Sequence, residues 1–375
     1  MDISFKFDPE IVIGADTLSV AGTICNRYTD KVMIAADSAL DTALVNRLKD
    51  ILEDSGVKAI VFDGIQDDSS VEMAENIVEL SSAAHCAAIV GFGGLKTQLI
   101  SRMAAIMAPM KISACDLLDG RIFQNKTLPL VAIPTAGTDP FAFTEYFIAA
   151  DPRNRLVKSI QSPSKLYAAM IVDSTLFQSF TGSCAAVSVL DGFSTAVEAY
   201  CSTRANFLSD AVLERALNFY AKLLKSGSGG MNADIFAQAA FLTSLGASAS
   251  SPGAISALSF AVNARFPAVK QACAAALLPL VAERLAGARP EKMAKAASFL
   301  GNTKAASVAD AAKGAADGIR RCMEALGVQP NLKEFNISLD KITAAAEAAR
   351  GLEFVANSSW IVSAEDVFDI LKQII

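Results

Sequence analysis

Histidine occurs once in the 375 residues, at His85. A single imidazole excludes every site built on two or more, and it leaves little scope for histidine-based acid–base chemistry. His85 precedes an apolar run that reads as a buried strand, so a structural role is expected for it. Aromatic residues reach only 7%, with one tryptophan, and show no platform on which bases would stack. Positive charge is also short. Lys and Arg number 33 against 39 Asp and Glu, a net charge of -6, so no basic stripe neutralises phosphates and nucleic-acid binding is not expected. The longest apolar runs, such as Ala272–Ala282, stop short of the roughly 20 residues of a membrane span. Met1-Asp2-Ile3 opens no secretory signal, and a cytoplasmic protein without a membrane segment is the expectation. The seven cysteines are scattered, with no C-x-x-C pair, and read as small core residues rather than a disulfide framework or zinc site.

What the chain does have is length and apolar character. At 375 residues and 52% hydrophobic content it suits two domains. Up to about residue 182, β-branched runs alternate with helical stretches, the pattern of βαβ units and a largely parallel sheet. Lys31–Ala36 reads as a strand ending at Asp37. A helix follows over 41–55 with Val45, Leu48, Ile51 and Leu52 on one face. Strand 57–62, helix 70–83 and strand 86–90 come next, the last running into Gly91-Phe92-Gly93-Gly94. A glycine loop between a third strand and a helix is a nucleotide-binding arrangement. From about 183 to 375 strand signals nearly vanish, and helices are expected over 194–206, 209–225, 231–246, 253–263, 268–286, 290–299, 304–326 and 338–350. Residues 226–230 and 247–253 read as loops. The expected fold class is an α/β Rossmann-like domain followed by an all-α domain.

Two motifs stand out. Ala132-Ile133-Pro134-Thr135-Ala136-Gly137-Thr138-Asp139 resembles the A-I-P-T-T-A-G-T-G-S-E signature of the iron-containing alcohol dehydrogenase family. Leu190-Asp191-Gly192-Phe193-Ser194-Thr195-Ala196-Val197-Glu198-Ala199-Tyr200 resembles that family's D-A-x-x-H-A-x-E-A-Y signature. Gly91–Gly94 stands for its G-G-G-S loop, Leu277-Leu278-Pro279 for its Leu-Pro, and Asn331–Ile337 and Ser363–Val367 fit its end. The likeness covers nearly the whole chain. It implies the two-domain fold of the dehydroquinate synthase-like group, a cofactor and substrate cleft, a small-molecule substrate, and an assembly such as a homodimer.

Members of that family hold Fe²⁺ or Zn²⁺ with one Asp and three His. Carried over, those positions become Asp191, Thr195, Ser256 and Lys270, and the family's proton-relay histidine falls at Phe260. Hydroxyls are poor ligands for such an ion and lysine is a cation, so no metal is expected. Asp191 reads either as the N-cap of the helix after it or as a functional carboxylate. Lys270 reads either as a solvated lysine at a helix start or as a cation in the metal's place, paired with Asp191 and polarising a substrate carbonyl. Glu198 is expected to support the helix or the former metal site. On the cofactor side, Gly91, Gly93 and Gly94 survive, Phe92 replaces a glycine, Thr97 stands where the family carries Asp, and Thr135 and Thr138 belong to the first signature. Asp37 matches the position that reads the adenosine ribose, so NAD is preferred over NADP. The implied function is an NAD(P)-dependent oxidoreductase acting on a small alcohol, aldehyde or ketone without metal. The alternative is a non-catalytic nucleotide-binding or regulatory descendant. A third reading is a different reaction using Lys270 as acid, base or imine-forming amine.

Overall fold

The structure, a computed structural model, describes residues 7–66, 71–121, 126–162, 166–178, 181–227, 231–302 and 304–375. Met1-Asp2-Ile3, the start of the helix expected at residue 70, and the 228–230 part of the expected loop lie outside the described residues. The chain forms two compact units. One comprises the residues up to Ala136 with Thr144–Asn154 and Lys158–Phe177; the other comprises Gly137–Phe143, Arg155–Val157 and the chain from Gln178 onward.

The first unit is built on β1 (Glu10–Gly14), α1 (Ala21–Asn26), β2 (Lys31–Asp37), α2 (Thr42–Asp54), β3 (Lys58–Ile65), α3 (Val71–Ala83), β4 (Ala88–Gly93), α4 (Leu95–Met110), α5 (Ala114–Leu118), β5 (Leu130–Pro134), β6 (Tyr146–Asp151), β7 (Leu156–Gln161) and β8 (Tyr167–Asp173). Six strands form one sheet in the order β1-β8-β5-β4-β2-β3, and β6 and β7 form a small separate pair. Every pairing in the large sheet is parallel. A parallel sheet covered on both faces needs apolar residues on both sides of its central strands. The sequence supplies them: Val32–Ala36 of β2 and all of β4 are buried. The order reverses at β2. The chain leaves β2 for the edge strand β3 and returns to β4 on the other side, so the carboxyl ends of β2 and β4 flank the switch point where ligands bind in such sheets. The sequence reading places the parallel strands and the glycine loop but contains no sign of the β6–β7 pair.

The second unit is helical: α6 (Gly182–Cys201), α7 (Phe207–Lys225), α8 (Ala233–Ala249), α9 (Ala254–Arg265), α10 (Lys270–Ala288), α11 (Pro290–Phe299), α12 (Val308–Ala325), α13 (Leu339–Arg350) and α14 (Ala364–Ile374). Small residues let these helices approach closely. A Cβ added at Gly246 of α8 would lie 2.4 Å from the Leu213 side chain of α7. The largest difference from expectation is α6, which starts twelve residues before the predicted 194. Every residue from Ser188 to Cys201 is buried, so no polar face marks the helical period. Likewise α8 continues to Ala249, through the start of the predicted 247–253 loop. Among the described residues no single helix is long and apolar enough to cross a membrane.

Candidate active site

In the first unit the site is the turn from β4 into α4. Gly94 is the N-cap of α4 and offers no side-chain cap, and an uncapped helix start of this kind is chemically suited to an anion. Two glycines are required by close approach of the helix to the strand. A Cβ at Gly91 would lie 2.8 Å from Ser101 Oγ. At Gly93, where φ is 155°, it would lie 2.6 Å from Thr97 Oγ1 and 2.7 Å from Asp37 Cβ. Asp37 ends β2 beside this loop. Its Oδ1 accepts from Ala39 N at 3.0 Å and its Oδ2 from Thr97 Oγ1 at 3.4 Å. Thr135 N donates to Gly93 O at 3.1 Å. The Phe92 side chain is fully buried, so only its backbone can serve the loop. The structure therefore brings Asp37, Gly91, Gly93, Gly94, Thr97 and Thr135 together. Thr138 belongs by its contacts to the helical unit, where its Oγ1 lies 2.6 Å from the Tyr220 hydroxyl.

The helical unit holds a separate cluster of candidate residues. Asp191, only 1% exposed, lies in the middle of α6, and Lys270, 5% exposed, is the first residue of α10. Lys270 Nζ donates to Asp191 Oδ1 at 2.5 Å. The ammonium also lies over the Phe260 ring, 5.2 Å from its centroid, a favourable face for a cation. Phe141 and Phe354 extend this aromatic wall, with Phe141 centred 5.8 Å from Phe260 and 5.5 Å from Phe354. Asp191 Oδ2 and Ser256 Oγ are buried without a hydrogen-bond partner among the described residues. Thr195, one turn beyond Asp191 on α6, is buried too. Burial raises the Asp191 carboxyl above its ordinary range, and the Lys270 charge opposes that rise.

Glu198, two turns beyond Asp191, supports the neighbouring helix. Its Oε1 accepts from Ile255 N at 2.7 Å and its Oε2 from Ser256 N at 3.3 Å, so it caps the start of α9 from another helix. Gly253 is glycine for the same reason, because a Cβ there would lie 2.7 Å from Glu198 Cδ. Burial raises Glu198 to about 7 against the lowering effect of these amides. Cys273, one turn after Lys270, is raised by burial to about 12 and is inert as a thiol.

Two readings of the sequence need correcting. Asp191 is not an N-cap, because α6 begins nine residues earlier. Lys270 is not solvated, because Asp191 and Phe260 enclose it. His85 is exposed, in the turn after α3 with φ 55°. Two side chains escaped sequence reasoning. Tyr220 has one available signal, the glycine at 192 where the family signature has alanine: a Cβ at Gly192 would lie 2.1 Å from the Tyr220 hydroxyl. Gln98, whose Nε2 donates to Gly91 O at 2.9 Å and Gly93 O at 3.2 Å, carries no such signal.

Comparison with known proteins finds matches to both parts of the chain. The profile of the iron-containing alcohol dehydrogenases matches residues 8–174, and that of the C-terminal region of the Fe-containing alcohol dehydrogenase family matches residues 185–375. The 1,3-propanediol dehydrogenase of Citrobacter freundii is 26% identical over 338 residues, covering 86% of each chain. A crystal structure of 1,3-propanediol oxidoreductase superposes with a TM-score of 0.92 at 22% identity, covering 100% of both chains. The sulfoacetaldehyde reductase of Bifidobacterium kashiwanohense, solved in complex with NAD+, superposes with a TM-score of 0.82 at 19% identity, covering 100% of this chain and 99% of that one. The two profiles together span nearly the whole chain, and the protein belongs to the iron-containing alcohol dehydrogenase family.

Proposed function

We propose that the protein is an NAD-dependent oxidoreductase that interconverts a small alcohol with its aldehyde or ketone, and that it works without the metal after which its family is named. The observation that carries the reading is the uncapped glycine turn at the switch point of the sheet, with Asp37 beside it. Backbone amides of Gly91–Gly94 and the start of α4 suit a pyrophosphate. Asp37 suits the ribose hydroxyls, and its charge disfavours a 2′-phosphate, hence NAD over NADP. Thr97 and Thr135 border the same turn. Relatives support the reaction class, since they are oxidoreductases of alcohols and aldehydes and one was solved with NAD+.

A divalent ion does not fit the residues present. Asp191 would supply one carboxylate, Thr195 and Ser256 neutral hydroxyls, and Lys270 a positive charge already on the carboxylate. Among the described residues no three His, Cys, Asp or Glu side chains are grouped as a metal would need. We therefore assign no step to a metal.

In this reading the bound nicotinamide supplies or accepts a hydride. Lys270 donates a hydrogen bond to the substrate oxygen and stabilises negative charge there. Asp191 fixes the ammonium in place, Thr195 and Ser256 offer hydroxyls to the same substrate, and Phe260 supplies an apolar wall. One observation favours a second reading, a non-catalytic nucleotide-binding protein: Lys270 is already engaged by Asp191. The two separate on one experiment, NADH binding by fluorescence followed by NADH oxidation with a panel of small aldehydes and ketones. Binding with turnover is the expected result. Binding without turnover on any substrate would favour the second reading, and no binding at millimolar NADH would refute the nucleotide site itself.

A further inference from the structure

The direction in which a glycine loop points its amides decides whether it holds an anion, and in this chain a buried side chain on α4 and a backbone amide after β5 both hold the loop's carbonyl. Gln98 lies on α4, just past its first turn, and is 2% exposed. Its Nε2 donates to the carbonyls of Gly91 at 2.9 Å and Gly93 at 3.2 Å. The Gly93 carbonyl accepts a second bond from Thr135 N at 3.1 Å. In a trans peptide the C=O and the N–H point in opposite directions. Holding the Gly93 oxygen against Gln98 and Thr135, both buried, therefore turns the Gly94 N–H away from the interior. It joins the uncapped amides at the start of α4, which is how an oriented run of amides makes an anion concavity.

The rest of the local chemistry is arranged around this side chain. Gly91 must lack a Cβ, since that atom would lie 3.0 Å from Gln98 Oε1 as well as against Ser101. Ser101 Oγ donates to Thr97 O at 2.7 Å, which fixes the turn of α4 that carries Gln98. Gln98 Oε1 is buried and has no partner among the described residues. Leaving an amide oxygen dry and unpaired is unfavourable. A residue chosen only for packing would be apolar here, so the retained amide points to its donor end as the reason for its presence.

We propose that Gln98 is a positioning residue for the dinucleotide site, acting through the 93–94 peptide and touching no ligand itself. This rests on the NAD-binding reading above. The test compares wild type with Gln98→Met, which keeps length and volume but has no N–H. NADH binding is measured by fluorescence, and ADP-ribose and adenosine binding by calorimetry. Each dissociation constant for NADH and ADP-ribose, both of which carry the pyrophosphate, should rise about five- to tenfold, the loss of roughly one well-placed hydrogen bond. Adenosine, which carries no phosphate, should bind both proteins alike. NADH and ADP-ribose constants within twofold of wild type would overturn the proposal. So would an equal loss for adenosine, which would indicate general damage to the unit. If Gln98→Met fails to fold, Gln98→Leu, which is also uncharged and has no side-chain N–H, is read in the same way. Wild type that binds no NADH refutes the function reading and this proposal together, whereas wild-type binding with an unaffected variant refutes the role of Gln98 alone.

Discussion

Replacing Lys270 with methionine tests the centre of the helical unit. Methionine keeps the length of the side chain and its contact with Phe260 but removes the charge. Asp191 is left 1% exposed with no partner at either oxygen, because Lys270 is the partner of Oδ1 and Oδ2 has none among the described residues. Breaking a buried ion pair from one side costs about 3–5 kcal/mol. Protonation of Asp191 limits that cost, at about 1.4 kcal/mol per pH unit of required shift. Burial already raises this carboxyl and Lys270 opposes the rise, so the variant's folded pKa moves higher still. A carboxyl whose folded value exceeds its unfolded one contributes stability that is complete below the unfolded pKa and is lost as pH rises through the folded pKa. The deficit of Lys270→Met against wild type should therefore be larger at pH 8 than at pH 5. Urea unfolding followed by circular dichroism at both pH values measures it. Asp191→Asn in the same background should recover most of the loss. A deficit below about 1 kcal/mol at pH 8, the scale of a solvated pair, or equal deficits at the two pH values would contradict a buried Lys270–Asp191 pair.

Glu198→Gln should flatten the pH dependence of stability. Burial lifts this carboxyl from 4.5 to about 7, so wild type loses up to roughly 3 kcal/mol from it as pH rises from 5 to 8; thermal melts of equal slope in both proteins would contradict this. Gly192→Ala should destabilise by about 1–3 kcal/mol through overpacking, because the new methyl would lie 2.1 Å from the Tyr220 hydroxyl. The Gly192→Ala and Tyr220→Ala double variant should be less destabilised than the sum of the two, as chemical denaturation would show. Asp37→Ser should raise NADPH affinity relative to NADH by about tenfold through lost charge repulsion, and an unchanged ratio of dissociation constants would remove Asp37 from the ribose site.

Legibility in the sequence followed the visibility of each residue's burial. The parallel strands of the first unit were readable because β2 and β4 are continuous apolar runs bounded by helical stretches and glycine, and the loop at Gly91–Gly94 announces itself by composition. The start of α6 was not readable, since a helix buried on all sides from Ser188 to Cys201 has no polar face to show its period. That error made Asp191 look like a cap. Lysine at the first position of a helix looks like a surface residue, and only a partner 79 residues earlier in the chain makes Lys270 a core residue. Gln98 could not be found because its importance lies in the backbone atoms it holds, which no side-chain pattern records, and Tyr220 left only an indirect mark, the glycine at 192 in place of the signature's alanine.

Metal-free catalysis is tested most directly by NADH oxidation with a panel of small aldehydes and ketones, with protein stripped by a strong chelator and its metal content determined on the same sample. Turnover should persist with iron and zinc well under one equivalent and be unchanged when either ion is added back. Turnover that is lost on stripping and restored by Fe²⁺ or Zn²⁺ would contradict metal-free catalysis.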